Sequence, residues 1–237
     1  MNLIDSKIAI IPARSGSKRI INKNTRLFNG KPIISYAIEI ALQSKLFDEV
    51  MVSTDSDEIA NISVKLGASV PFLRSSINSD DFATTSDVLS EVITKYESTG
   101  KFFKYACCIY ATTPLLAVNR LTQAYDLLIR RKFDVVYPAV KYGHPIQRAI
   151  SVSDLGKSVM LWPENMNKRS QDLTPSYHDA GQFYWFNWAR FKLKPTLING
   201  ENIGSIILEE QECQDIDTEE DWKIAELKAK FNEKKPL

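Results

Sequence analysis

The residues of this chain best suited to binding an anion follow its first apolar segment. Residues 8–11 are β-branched or small and are stopped by Pro12, a pattern typical of a short buried strand. Small residues let backbone N–H groups approach an anion closely, and several cations can neutralise it. We therefore expect a polyphosphate-binding loop here, with a solvated surface turn as the alternative. The loop contains Arg14, Ser15, Gly16, Ser17, Lys18, Arg19 and, slightly later, Lys23.

Two well-known phosphate motifs do not match this loop. A P-loop needs Gly-Lys-Ser/Thr with another glycine five residues before it, but Ser17 follows Gly16 and Ile11 lies five residues before it. The dinucleotide fingerprint needs three spaced glycines, and this loop has Gly16 alone. A phosphate site here must therefore depend on its cations.

A pair of carboxylates near the other end of the chain has the spacing of metal ligands. In an extended segment Asp215 and Asp217 face one side and Ile216 faces the other. Two such oxygen ligands suit Mg²⁺, or Mn²⁺ in its place, which takes its other ligands from water and phosphate. Residues 217–220 also fit a capping box, so Asp217 could instead cap a terminal helix. We weight Asp215 above Asp217 as a dedicated ligand.

Strands and helices alternate along most of the chain, which predicts an α/β fold with a three-layer, Rossmann-like, mostly parallel sheet. We expect the terminal helix to bury Ile224, Ala225 and Leu227. The predicted strands are 8–11, 49–53, 69–73, 104–110, 134–140, 182–187 and 205–208, and the predicted helices are 33–44, 56–66, 88–96, 119–131 and the segment from 217 onward.

Ligands of such sheets lie beyond the carboxyl ends of the strands. That rule brings the polar segments 14–23, 53–55, 74–85 and 112–114 to one crevice. The segment at about 141–180 breaks the alternation and is rich in polar and aromatic residues. We expect it to be an inserted substrate-binding or subunit-contact segment within a single domain, 1–237.

Composition limits the other classes of function. The formal net charge of +1 argues against a general nucleic-acid binder. No apolar run approaches the ~20 residues of a membrane-spanning helix, and the first strand begins too near Met1 to leave room for a signal peptide. The three cysteines lack metal-ligand spacing, which favours a reducing, cytoplasmic location.

Residues 12–24, P-A-R-S-G-S-K-R-I-I-N-K-N, resemble the first signature of the CMP-sialic acid synthetases (acylneuraminate cytidylyltransferases), where A-R-x-x-S-K precedes a K-N pair. The resemblance continues through 53–55, 111–114 and 215–217, and so covers almost the whole chain. Residues 177–185, Y-H-D-A-G-Q-F-Y-W, resemble most the branch that acts on pseudaminic acid. The resemblance implies CMP transfer from CTP to an acylated nonulosonic acid with Mg²⁺, in a homodimer packed through the inserted arm.

The resemblance and the residue chemistry together assign roles within the nucleotide site. Lys23 is expected to hold the leaving pyrophosphate, and Arg74 to contact the base unless it instead pairs with Asp80 or Asp81. Asp55 either orients the site or caps the following helix. Tyr110 stands where the family usually has glutamine. The predicted catalytic residues are Arg14, Lys23 and Asp215; the nucleotide-binding residues are Arg14, Ser15, Gly16, Lys18, Lys23, Arg74 and Thr112; and the metal ligands are Asp215 and Asp217.

The sugar pocket is where the chain departs most from the sialic acid enzymes, which carry R-P-N-G-A-I-Y where residues 178–184 read H-D-A-G-Q-F-Y. This departure implies a different sugar, and Arg148 is a candidate partner for its carboxylate. The predicted sugar-binding residues are His144, Gln147, Arg148, His178, Asp179 and Gln182.

We expect pseudaminic acid as the acceptor, with N-acetylneuraminic or legionaminic acid as the nearest alternatives. A more distant alternative is the transferase for the sugar Kdo, whose loop typically reads S-T-R-L-P-G-K where residues 17–23 read S-K-R-I-I-N-K. A third is an inactive nucleotide-binding scaffold, which would bind CTP without releasing pyrophosphate.

Overall fold

The structure is a computed structural model that describes residues 5–233. The strands are β1 (Lys7–Pro12), β2 (Leu27–Phe28), β3 (Lys31–Pro32), β4 (Glu49–Ser53), β5 (Tyr105–Ile109), β6 (Val135–Lys141), β7 (Ile150–Val152), β8 (Ser158–Met160), β9 (Tyr177–Asp179), β10 (Phe183–Asn187) and β11 (Ile203–Leu208). The helices are α1 (Ile33–Ser44), α2 (Asp57–Lys65), α3 (Thr85–Ser98), α4 (Val118–Arg131), α5 (Trp188–Leu193) and α6 (Glu219–Glu233).

A seven-stranded sheet in the order β11-β6-β10-β5-β1-β4, with β9 added to β6, forms the centre of the fold. β1 pairs in parallel with β4 and β5, and β6 pairs in parallel with β11. β10 is antiparallel to both β5 and β6, and β9 is antiparallel to β6. The expected mostly parallel α/β sheet is confirmed, with β9 and β10 as its reversed members.

Alternating side chains of the strands supply the two apolar layers. Ala9 and Ile11 pack on the side covered by α1, α2 and α4. Ile8 and Ile10 pack on the other side, against α3 and α5. Because successive residues of a strand point to opposite faces, an apolar run such as β1 is fully buried between two helical layers. The three-layer arrangement follows.

A third, smaller apolar cluster ties the loop after β1 to the segment before α6. It is made of Ile20, Phe28, Ile33, Ile216, Trp222 and Ala225. The ring of Trp222 meets Phe28 edge-on at 5.6 Å, and the guanidinium of Arg26 lies over it at 4.4 Å. This cluster brings the two halves of the expected site together.

Three local predictions were wrong. Residues 69–73 form no strand and contribute only an isolated bridge between Met51 and Ser69. Helix α6 begins at Glu219 and is capped by Thr218, whose hydroxyl accepts from the Asp221 N–H at 3.2 Å, so Asp217 is not the cap. Ile224 and Leu227 are exposed, while Ala225 is buried.

Residues 142–176 leave the main sheet between β6 and β9. They contain the β7–β8 hairpin, which forms its own two-stranded sheet, and several short 3-10 turns. We call this segment the arm. Among the helices within residues 5–233, none combines the length and apolar character needed to cross a bilayer.

Candidate active site

A cavity of about 380 Å³ opens at the edge of the sheet where β1 and β5 end. Pro12 ends β1 on its wall, and Ala111 follows β5. Most of the residues predicted to bind nucleotide or metal meet there. Those on the cavity wall are Arg14, Lys18, Lys23, Arg74, Thr112, Asp215 and Asp217.

Two of the expected phosphate-binding cations are held by one carboxylate. Arg14 Nη1 donates to Asp81 Oδ1 at 2.8 Å and to the Asp80 carbonyl at 3.0 Å. Lys18 Nζ forms an ion pair with the other Asp81 oxygen. Hydrogen bonds from Lys18 and then Arg14 lower the pKa of Asp81. The carboxylate of Asp81 therefore occupies the two cations that the sequence predicts for phosphate binding.

Arg74 is held by Ser53 and pairs with neither Asp80 nor Asp81. The alternative partners considered for it were therefore wrong. Its Nε donates to Ser53 Oγ at 3.2 Å, and its Nη2 donates to the Ser53 carbonyl. Burial lowers the pKa of Arg74, although a guanidinium in a protein remains charged. A rigid buried cation thus forms part of the cavity wall.

Lys23 lies against the paired carboxylates on the wall of the cavity. Its Nζ donates to the Ile216 carbonyl at 2.7 Å and lies 3.5 Å from Asp217 Oδ1. Asp215 and Asp217 both face the cavity, whereas Ile216 is fully buried in the third cluster. This is the alternation expected from the Asp-Ile-Asp spacing.

Arg19, which sequence reasoning left unassigned, is part of the same group. Its Nη2 lies 2.8 Å from Asp217 Oδ1, and its side chain lines the cavity. Its position in the basic loop was the available signal, but sequence could not show that it faces the carboxylates.

The carboxylate pair fits a divalent cation. Enclosure by the cavity wall, and then the neighbouring charge of Asp217, raise the pKa of Asp215. A bound cation would remove that repulsion. Within residues 5–233 no cluster of three or more His, Cys, Asp or Glu is placed to hold a metal without help. Mg²⁺ is commonly held by one or two carboxylates together with water and substrate phosphates, so the donor set suits it.

Ser15 and Gly16 lie on the outer side of the basic loop, away from the cavity wall. Ser15 faces the start of α2, where Asp55 accepts from its N–H at 2.9 Å and from its hydroxyl at 2.8 Å. The cap of α2 is Ser56, whose hydroxyl accepts from the Ile59 N–H at 3.3 Å. Of the two roles considered for Asp55, capping is therefore wrong.

A hydrogen-bonded group of aromatic side chains continues the wall beyond Thr112. Tyr110, which replaces the usual glutamine, lines the cavity, and its hydroxyl lies 3.1 Å from Thr85 Oγ1. Tyr184 meets Tyr110 edge-on and donates its hydroxyl to Asp179 Oδ2 at 2.5 Å. Asp179 thus approaches the cavity from behind these two rings.

The six predicted sugar-binding residues lie outside the cavity wall formed by the described part of the chain. His178 is exposed, and its Nδ1 is 2.8 Å from the Asp179 carbonyl. Gln182 is buried and donates to the Glu212 carbonyl at 2.7 Å. His144, Gln147 and Arg148 belong to the arm, where Gln147 donates to the Thr174 carbonyl at 2.8 Å and Arg148 to that of Lys168. Their roles stay predictions.

Cations beside paired carboxylates at the carboxyl edge of a mostly parallel sheet suit a nucleotide bound together with a divalent metal ion. The chain belongs to the cytidylyltransferase family, whose model matches residues 8–182.

Three comparisons describe this membership further. The chain is 40% identical over 225 residues to the pseudaminic acid cytidylyltransferase of Campylobacter jejuni, covering 95% of this chain and 97% of that protein. It is 44% identical over 124 residues to the CMP-N,N'-diacetyllegionaminic acid synthase of Legionella pneumophila, covering 51% of this chain and 52% of the relative. A solved structure of CMP:2-keto-3-deoxy-manno-octonic acid synthetase complexed with CTP shares the fold, with a TM-score of 0.69, 17% identity and coverage of 97% and 100%.

Proposed function

We propose that this protein transfers CMP from CTP to pseudaminic acid, giving CMP-pseudaminic acid and pyrophosphate. The observation that carries the proposal is the contact of Lys23 with the Asp215–Asp217 segment on the wall of a cavity that Arg14, Lys18 and Arg74 also line. The similarity to the Campylobacter jejuni enzyme over nearly the whole of both chains supports pseudaminic acid as the acceptor.

In this reaction a sugar hydroxyl attacks the α-phosphorus of CTP and gives up its proton to solvent, the P–O bond to the β-phosphate breaks, and pyrophosphate leaves with the bonding electrons. The residues contribute position and charge. Arg14 and Lys18 exchange the carboxylate of Asp81 for phosphate oxygens, and Lys23 neutralises the departing pyrophosphate. Arg74, fixed on Ser53, presents a cation towards the nucleotide. Mg²⁺ or Mn²⁺, held by Asp215 and Asp217, would supply the positive charge that draws the phosphate oxygens together.

The subunit arrangement and the location belong to the same proposal. The arm carries exposed apolar side chains that a second copy of the chain would cover, and we assign the homodimer to this surface. They are Ile150, Val152, Leu155, Val159, Leu161, Trp162 and Met166. The unpaired, buried Cys107, Cys108 and Cys213 support a reducing compartment such as the cytoplasm.

Release of pyrophosphate tests the activity. The protein is incubated with CTP, Mg²⁺ and, separately, pseudaminic, legionaminic and N-acetylneuraminic acid. We expect the highest kcat/KM with pseudaminic acid, and a loss of about 10²–10³-fold in Lys23→Ala, the effect of removing one charged donor from a transition state. Lys65→Ala, an exposed lysine on α2, is the matched control and should behave as wild type.

The partial similarity to the Legionella pneumophila synthase favours legionaminic acid as the second candidate acceptor. A higher kcat/KM with that sugar would keep the reaction and replace the substrate. Binding of CTP without pyrophosphate release for any of the three sugars would instead support the scaffold alternative.

A further inference from the structure

Asp55 uses both oxygens of its carboxylate to hold one residue of the basic loop. Oδ1 accepts from the Ser15 backbone N–H at 2.9 Å, and Oδ2 accepts from the Ser15 hydroxyl at 2.8 Å. Ser15 lies in the sequence between Arg14 and Lys18, two of the cations that line the cavity. Burial opposes ionisation of Asp55, but the two hydrogen bonds from Ser15, together with its own backbone N–H and the charge of Arg74, outweigh burial and lower the pKa of this carboxyl. Asp55 is therefore a carboxylate at neutral pH.

Among the residues that the structure describes, Asp55 has no role as a helix cap, as part of the cavity wall or in an ion pair. Ser56 caps α2, and Asp55 is absent from the residues that line the cavity. In the described part of the chain no Lys or Arg nitrogen lies within the 4 Å of an ion pair with it, although Arg74 is near enough to attract it electrostatically. An unpaired negative charge beside a triphosphate site opposes binding of the anion. A negative charge at this position is explained if Asp55 orders the loop by an amount of free energy larger than the repulsion.

The backbone at the start of the loop is held by two further hydrogen bonds, and the side chains of Arg14, Lys18 and Arg19 pair with Asp81 or Asp217. The Ala13 N–H donates to the Ser53 carbonyl at 2.9 Å, and the buried Asn24 side chain donates to the Arg14 carbonyl at 2.9 Å. Residues 15, 16, 18 and 19 are exposed, and exposed loop residues lose considerable conformational entropy when a ligand orders them. The two hydrogen bonds to Asp55 fix the backbone between Arg14 and Lys18, so this part of the loop is already ordered before a ligand binds.

We propose that Asp55 is a positioning residue for CTP, which acts through Ser15 to hold Arg14 and Lys18 in the orientation that binds the triphosphate. The inference rests on the proposed function, since it takes CTP as the ligand of the cavity. It assigns Asp55 no contact with substrate.

The test is a double-mutant cycle on CTP binding, measured by calorimetry without sugar and followed by steady-state kinetics. We expect Asp55→Ala to weaken CTP about tenfold and Ser15→Ala about threefold, the effect of losing one or two hydrogen bonds to a charged group. Because Asp55 acts through Ser15, the Ser15→Ala change should add nothing in the Asp55→Ala background. The KM for the sugar should stay within about twofold in each variant, because the sugar does not depend on this loop.

Asp57→Ala is the matched control, since Asp57 is an exposed acid two residues along on α2. Asp55→Asn keeps one acceptor oxygen and should recover part of the affinity. If Asp55→Ala does not fold, the lower CTP affinity of Ser15→Ala relative to Asp57→Ala still decides the inference.

The inference is overturned if wild type binds CTP and Asp55→Ala binds it as tightly as Asp57→Ala does. It is also overturned if the two single effects add in the double variant, or if the KM for the sugar rises as much as that for CTP. A wild-type protein that binds no CTP would instead overturn the proposed function itself.

Discussion

Asp215 faces opposite electrostatic requirements in the free and the ligand-bound protein. Without a cation it lies beside Asp217 and is partly enclosed, and both effects raise its pKa. With the divalent cation proposed to bind here, its negative charge would become the useful property. Groups whose pKa is shifted by enclosure and a like charge are common in functional sites, and the shift of Asp215 is of this kind.

The first prediction concerns Asp215→Asn. An acid whose pKa is higher in the folded than in the unfolded state weakens folding once the pH exceeds both values, and the effect vanishes below both. Removing the charge should therefore raise Tm at pH 8 and have a smaller effect at pH 5. Because the side chain reaches solvent, we expect a gain of roughly 1–2 °C, about half a kcal/mol.

Thermal unfolding measures this gain, and binding of Mn²⁺ followed by electron paramagnetic resonance should be lost in the same variant. Asp126→Asn, an exposed acid on α4, serves as control and should change neither property. A lower Tm for Asp215→Asn at pH 8 would contradict the view that the charge of Asp215 weakens folding.

At the scale of elements, the loop before α3 closes on the basic loop after β1. Asp80 shapes this turn by accepting from the N–H groups of Phe82 and Ala83 at 2.9 and 2.8 Å, while Asp81 reaches across to Arg14 and Lys18. The two cations proposed to bind phosphate are thus paired with a carboxylate of the protein itself. Under the proposed function, a triphosphate would displace that carboxylate when it binds.

The second prediction is that Asp81→Asn binds CTP more tightly than wild type, by about three- to tenfold, because the competing charge is gone. Calorimetric titration at low and high salt measures the gain, which should shrink as salt screens the cations. Asp80→Asn retains the oxygen that shapes the turn and should leave the affinity unchanged. Weaker binding by Asp81→Asn would mean that Asp81 assists the nucleotide.

The start of the same loop is fixed to α3 through Glu91. Its carboxylate accepts from the Ser75 N–H and hydroxyl at 2.8 and 2.7 Å and from the Asn78 amide at 2.5 Å, and it pairs with Lys95 at 2.6 Å. Burial opposes ionisation, but the bonds from Lys95, Asn78 and Ser75 outweigh it and lower the pKa of Glu91 to about 2. This anchor sets the position from which Asp81 reaches the cations.

The third prediction is that Glu91→Gln lowers the free energy of unfolding at pH 7 by about 2 kcal/mol, since charged hydrogen bonds are lost from a side chain with little exposure. For an acid with a lowered pKa, the stabilisation is complete above the unfolded value near 4.5 and disappears towards pH 2. The difference between the two proteins should therefore shrink over that interval. Urea unfolding at several pH values measures it, with the exposed Glu58→Gln as control.

At the scale of the molecule, the arm exposes more apolar side chains than is usual in a protein without a binding partner. Ile150 and Val152 lie on one face of the β7–β8 hairpin and Val159 lies on the other, and each is at least half exposed. Apolar side chains exposed on both faces of a hairpin are typical of a segment that packs against a second subunit.

The fourth prediction is that Val152→Lys, or its combination with Val159→Lys, converts a dimer into a monomer because it places charge in an apolar interface. Light scattering after gel filtration measures the mass. Leu193→Lys, which alters an exposed leucine on α5 outside the arm, should leave the mass unchanged. A wild-type protein that is monomeric at high concentration would contradict the assigned interface.

Local sequence determined much of this protein. The bounds of α1 and β4 were predicted to the residue, since their signals lie within a few positions of each other. The Asp-Ile-Asp alternation was visible because a strand-like backbone alone separates its two faces. The sheet class and the edge that carries the site also follow from the order of strands and helices.

The tertiary structure decided whatever depends on partners distant in sequence. An apolar run predicts a strand but not its direction, so the reversal of β10 was not visible. Helix α6 has two apolar faces at helical spacing, and packing against Phe28 and Ile33 selected the face of Trp222 and Ala225 over that of Ile224 and Leu227. Asp81 meets Arg14 across 67 positions, and Lys23 meets Ile216 across 193. The sequence specified which charges are available, and the folded chain determined which of them meet.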